Sequence, residues 1–84
     1  MLITSTDIKK IIALSMPKGR WIHINDIQDI VERNYPLTSQ DWNPYTNTRK
    51  TNYPIWKHRI QGVLSTMKSE GKIIHDETNN CYMF

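Results

Sequence analysis

The chain has 84 residues, a single cysteine (Cys81) and a formal net charge of +3. A length this short supports one core and little more, and a lone cysteine excludes an intramolecular disulfide framework and a cysteine-rich zinc site. The 38% of apolar residues must therefore carry the fold. No apolar run reaches the roughly eighteen residues that a membrane crossing needs, and the first residues lack the charged-then-apolar pattern of a secretory signal. The expectation is one domain over residues 1–84, in the cytoplasm, with no membrane partner.

The first helix is expected over about 6–16. Thr4, Ser5, Thr6 and Asp7 offer N-cap side chains, and Ile8, Ile11, Ile12 and Met16 recur at helical spacing before Pro17 and Gly19 break the run. Trp21, Ile22, His23 and Ile24 form a short β-prone segment, read as a strand or extended piece. A second helix follows, with Asn25 as its cap and Ile27, Ile30 and Val31 as its apolar face. It ends near Asn34, because Tyr35 precedes Pro36 and the residue before proline avoids the helical region. Residues 38–41 can open one helical turn carrying Trp42, and 43–52 read as a polar, turn-rich loop.

The best helix signal spans about 54–70. Asn52 or Tyr53 would cap it, with Pro54 at the first helical position, where its missing N–H costs nothing. Trp56, Ile60, Val63, Leu64 and Met67 share one face, and Gly71 stands where a C-terminal cap glycine belongs. Two strand candidates, 72–76 and 81–84, flank the turn residues Glu77, Thr78, Asn79 and Asn80, which suit a hairpin. The order predicts a mainly α fold with a small β-hairpin: a winged helix-turn-helix, three helices followed by a wing.

Charge is unevenly placed. Residues 1–41 hold five basic and five acidic side chains; residues 42–84 hold six and three. Between Trp42 and Ser69 there is no Asp or Glu, while Arg49, Lys50, Lys57, Arg59 and Lys68 all fall there. Such a block draws a polyanion, although it also suits a solvated surface.

The runs "LTSQDW", "YPIWKHRIQGVLSTMKSEGKI" and "CYMF" resemble winged-helix domains attached to restriction endonucleases, such as the N-terminal domain of Mrr-type enzymes. The matching residues are Leu37, Thr38, Asp41, Trp56, Leu64, Met67, Gly71 and Ile73. The resemblance implies a recognition module for double-stranded DNA, with a nuclease domain in the same polypeptide. No nuclease motif is read in these 84 residues, so the chain itself is expected to be non-catalytic, with no cofactor and no metal.

In a helix-turn-helix the second helix of the motif enters the major groove. Opposite the Trp56 stripe lie Pro54, Ile55, His58, Gln61, Gly62 and Ser65, with Lys57 and Arg59 on the flanks. His58 and Gln61 suit base edges; Lys57 and Arg59 suit phosphates or guanine. Gly62 is costly inside a helix, which either a close DNA backbone or tight helix packing would explain. The loop contributes Arg49, Lys50, Asn52 and Tyr53 as backbone followers, or is simply a solvated connector. Trp42 and Tyr45 are candidates for a base or methyl contact, against the alternative that Trp42, like Trp56, is core. The wing, with Asp76 and Glu77, is expected to contribute little. His23, His58 and His75 lie too far apart in sequence for a paired metal motif, and Cys81 reads as a small apolar filler. The rival functions are a protein-interaction or dimerisation winged helix and a small transcription regulator. Oligomeric state is not readable.

Overall fold

A computed structural model of the chain describes residues 2–44 and 54–84. Helix α1, Ser5–Ser15, begins at a reciprocal cap: the Thr4 hydroxyl oxygen accepts the Asp7 N–H at 3.1 Å, and the Asp7 carboxylate accepts the Thr4 N–H at 3.1 Å. It ends at Met16, held extended by Pro17. Helix α2, Ile24–Asn34, closes the same way at Tyr35 before Pro36. Its cap is His23 rather than Asn25: the imidazole Nδ1 accepts the Asn25 N–H at 3.1 Å, so the helix starts two residues earlier than the short polar side chain suggested.

Helix α3, Ile55–Ser69, carries the expected stripe, with Trp56, Ile60, Val63 and Leu64 buried and Met67 packed at its edge. Pro54 is the N-cap and not the first helical residue. At the other end the Gly71 N–H donates to the Lys68 carbonyl and the Lys72 N–H to the Met67 carbonyl, with Gly71 at φ 74°. That pair of bonds is the Schellman arrangement, and its left-handed residue is where glycine avoids a Cβ clash.

Three short strands follow from the rest: β1 Trp21–His23, β2 Ile74–Asp76 and β3 Cys81–Met83. They form an antiparallel sheet in the order β1-β3-β2. Trp21 pairs with Met83 and His23 with Cys81, while Ile74 pairs with Met83 and Asp76 with Cys81. The segment before α2 is therefore a full sheet member that pairs β3 across most of the sequence. The Gly19 N–H to Phe84 carbonyl bond and the Ile24 N–H to Asn80 carbonyl bond pin both ends of that pairing.

The core lies where α1 meets α2 and α3. Ile3, Ile8, Ile11, Ile12 and Met16 meet Ile24, Ile27 and Val31 on one side and the α3 stripe on the other, and Ile22, Ile73 and Tyr82 extend the cluster under the sheet. Ile30, expected on the buried face of α2, is only half-buried, and Gln28 takes the buried place instead.

Candidate nucleic-acid interface

The start of α3 is fixed by the turn over residues 38–43. A helix leaves its first N–H groups without intrahelical acceptors, and Pro54 has no side-chain acceptor to offer. The turn supplies them: Ile55 N–H donates to the Asn43 carbonyl at 2.9 Å and Trp56 N–H to the Asp41 carbonyl at 3.3 Å. The turn is itself held by the Asp41 carboxylate, which is fully buried. That carboxylate accepts the Ile3 N–H at 2.7 Å, the Thr38 N–H at 2.8 Å and the Thr38 hydroxyl at 3.1 Å. Asp41 thus joins the chain start, the turn and α3. Because the leading amides of α3 are taken, any anion near this end must be met by side chains.

Trp56 is 1% exposed and Trp42 46% exposed. Their rings meet edge to face at 5.3 Å, and the Lys57 ammonium lies 5.5 Å from the Trp56 ring centre. The alternative that Trp42, like Trp56, is core is corrected here. It covers Trp56 with one edge and leaves the rest of the indole on the surface. The Trp56 indole N–H is buried with no partner among the described residues.

The remaining face of α3 divides between two grooves. On one flank, Gln61, Ser65 and Lys68 line a depression with His75, Glu77, Asn80 and Tyr82 of the hairpin. On the other, Ile55, His58, Arg59, Gly62, Val63 and Thr66 line a groove of about 350 Å³ against Ser5 and Lys9 of α1. Gln61 and Ser65 are exposed, and Lys57, His58 and Arg59 are half-buried. The site residues expected on α3 are thus present together on its outer surface, but they serve different grooves. Of the others, Tyr45, Arg49, Lys50, Asn52 and Tyr53 lie outside the described residues.

The two flanks differ in charge. On the hairpin side, the Lys68 ammonium pairs with the Glu77 carboxylate at 3.1 Å, so one cation of the acid-free block is matched by an acid from elsewhere in the chain. The hydrogen bond and charge of Lys68 hold the Glu77 carboxyl below its ordinary range. Asp76 is occupied within its own turn: it accepts from the Asn79 side-chain amide at 2.9 Å and from the Thr78 and Asn79 N–H groups at 3.1 and 3.4 Å. Those bonds, the Asn79 amide foremost, lower its carboxyl as well. The Asn79 amide is thus engaged inside the turn. The His75 ring stacks on Tyr82 at 4.2 Å, which stiffens the hairpin.

The α1 side has no acid among its lining residues. Neither Lys9 nor Arg59 forms an ion pair among the described residues. The lining by Ser5 and Lys9 was not foreseen. Lys9 stands on α1, 50 residues from Arg59, and the α1–α3 packing brings the two to one groove.

Comparison with known proteins finds no matching family model, no similar curated protein and no similar solved structure. The site must be read on its own chemistry. Among the described residues, no three His, Cys, Asp or Glu side chains come together as a metal site. Cys81 is half-buried and places its thiol 3.5 Å from the Asn79 carbonyl. No described helix is long and apolar enough to cross a membrane.

Proposed function

We propose that the chain is a winged-helix module that binds double-stranded DNA through the outer face of α3, with the β2–β3 hairpin as its wing. The observation that carries this reading is the surface of α3 itself. Lys57, His58, Arg59, Gln61 and Ser65 emerge on a helix backed by a full core stripe, without an acid anywhere in Ile55–Ser69. Lys57 and Arg59 take phosphates; His58 and Gln61 are the base-edge readers. The hairpin acts as a spacer more than as a contact, since its acids are tied to Lys68 and to its own turn. The resemblance to Mrr-type recognition domains supports a finer reading, a non-catalytic recognition module of a restriction or defence nuclease. The half-exposed Trp42 ring packed on Trp56 supports a contact to a thymine or modified-base methyl group.

Backbone-amide shift mapping with a short duplex tests the assignment. Residues of α3 from 57 to 66 should move together. If the largest shifts fall instead on the groove between β1 and α2, around Arg20, Trp21 and Arg33, the reading is wrong and an interaction-domain function takes its place.

A further inference from the structure

We propose that the groove between α1 and α3 is a seat for a DNA phosphodiester, with Lys9 of α1 and Arg59 of α3 as its cations and the bare backbone of Gly62 as its floor. This rests on the DNA-binding reading and extends it to a helix outside the helix-turn-helix pair.

Three observations lead there. The first is the lining: Ser5 and Lys9 on one wall, His58, Arg59 and Thr66 on the other, in about 350 Å³ with no carboxylate among them. A lysine and an arginine lining one groove from two elements suit a phosphate better than a neutral ligand. The second is Gly62. A glycine in a helix interior is less favourable than alanine, and such a cost needs a reason. Tight packing would be one, but a Cβ built at Gly62 meets no described atom within 4 Å. Nor is its backbone left-handed, since only Gly19 and Gly71 have positive φ among the described glycines. Nothing described within the chain requires a glycine there, so the requirement lies with something that approaches the helix from outside. The third is the Gly62 carbonyl. The Thr66 hydroxyl donates to it at 3.0 Å, which engages an acceptor that would otherwise repel an anion. The N-terminus of α1 adds no independent attraction, because the Asp7 carboxylate already caps it.

A bound duplex would then span α3, with base readers at its apex and one strand's phosphate against α1. Adding a methyl group at residue 62 keeps the phosphate out while relieving the helix of its least favourable residue. Stability and binding should therefore change in opposite directions, which an ordinary structural role cannot produce.

The test uses the full chain with a labelled duplex of about 20 bp at low salt. Gly62→Ala should raise the Tm by roughly 4–8 °C and weaken duplex binding about 5–10-fold. Lys9→Ala should weaken binding and flatten the salt slope by about one. Lys18→Ala, a cation outside the groove, should leave the slope unchanged. If the parent chain binds and Gly62→Ala and Lys9→Ala bind equally well, the seat is refuted while the DNA reading survives. A Gly62→Ala chain that is no more stable removes the premise of open space and overturns the inference too. If the parent chain does not bind at all, the DNA reading itself falls, and this inference with it.

Discussion

Replacing Asp41 with alanine should destabilise the chain more than any other single change outside the apolar core. The carboxylate is fully buried and accepts three hydrogen bonds, two of them from backbone N–H groups. A buried donor that loses its acceptor costs about 1–3 kcal/mol, so losing the acceptor for the Ile3 and Thr38 amides costs about 2–6 kcal/mol, centred near 4. An 84-residue chain has about 4–13 kcal/mol of total stability, so Asp41→Ala removes a large part of it. The corresponding fall in Tm is roughly 15–30 °C. Asp41→Asn keeps one carbonyl oxygen but turns an N–H₂ toward a donor, so its loss should be intermediate. Denaturant titration followed by tryptophan fluorescence reads both the energy and the place, since Trp42 and Trp56 adjoin the turn that Asp41 holds. A loss below about 1 kcal/mol for Asp41→Ala would refute the reasoning: Asp41 would then not be what ties the chain start and the 38–43 turn to α3.

Thr4→Ala removes the hydroxyl half of the α1 cap and should cost about 1 kcal/mol, read as a shift of the urea midpoint without a change in slope. Acid should weaken the fold through Asp7, Asp76 and Glu77. Their carboxyls are lowered from ordinary values of 3.8, 3.8 and 4.5 by hydrogen bonds from Thr4, Asn79 and Lys68 respectively. Each therefore contributes stability that is present above its ordinary pKa and is lost as pH falls through the lower, folded value. Tm measured against pH should drop from about 4.5 downward, less steeply in Asp76→Asn and Glu77→Gln; unchanged steepness in both would contradict the assignment. For binding, Lys57→Ala and Arg49→Ala should weaken affinity on every sequence and flatten the salt slope. His58→Ala and Gln61→Ala should each relax sequence choice by about 1–3 kcal/mol. If all four act identically on cognate and random duplexes, α3 is not the reader.

The elements were legible where local chemistry decides them. The Thr4–Asp7 cap, the prolines after Met16 and Tyr35, the Trp56 to Met67 stripe and the left-handed Gly71 each leave a signal within a few residues, and the structure carries all of them. What was not legible depends on partners distant in sequence. The cap of α2 looked like Asn25 because asparagine is the usual cap; the imidazole of His23, two residues earlier and fixed by its strand pairing, serves instead. Trp42 was open to a contact role or a core role in the sequence; it sits over a core residue that is already enclosed. Lys68 looked like part of a free basic block, and the hairpin returns Glu77 to it. Asp41 did carry a signal, the Thr38-x-x-Asp41 spacing of a capping box. Sequence alone could not show that the same carboxylate would also take the Ile3 amide 38 residues away. Gly62 was open to two explanations in the sequence, and the empty space around it removes tight helix packing as one of them.

The most direct measurement of the central claim is duplex affinity against salt for the unmodified chain, by fluorescence anisotropy on a labelled duplex. If α3, the basic residues Arg49 and Lys50 and the α1 groove meet three to five phosphates, log K should fall linearly with log salt at a slope between about −3 and −5. Absence of binding at about 50 mM salt, or binding that salt leaves unchanged, would contradict the claim that this surface is built for DNA.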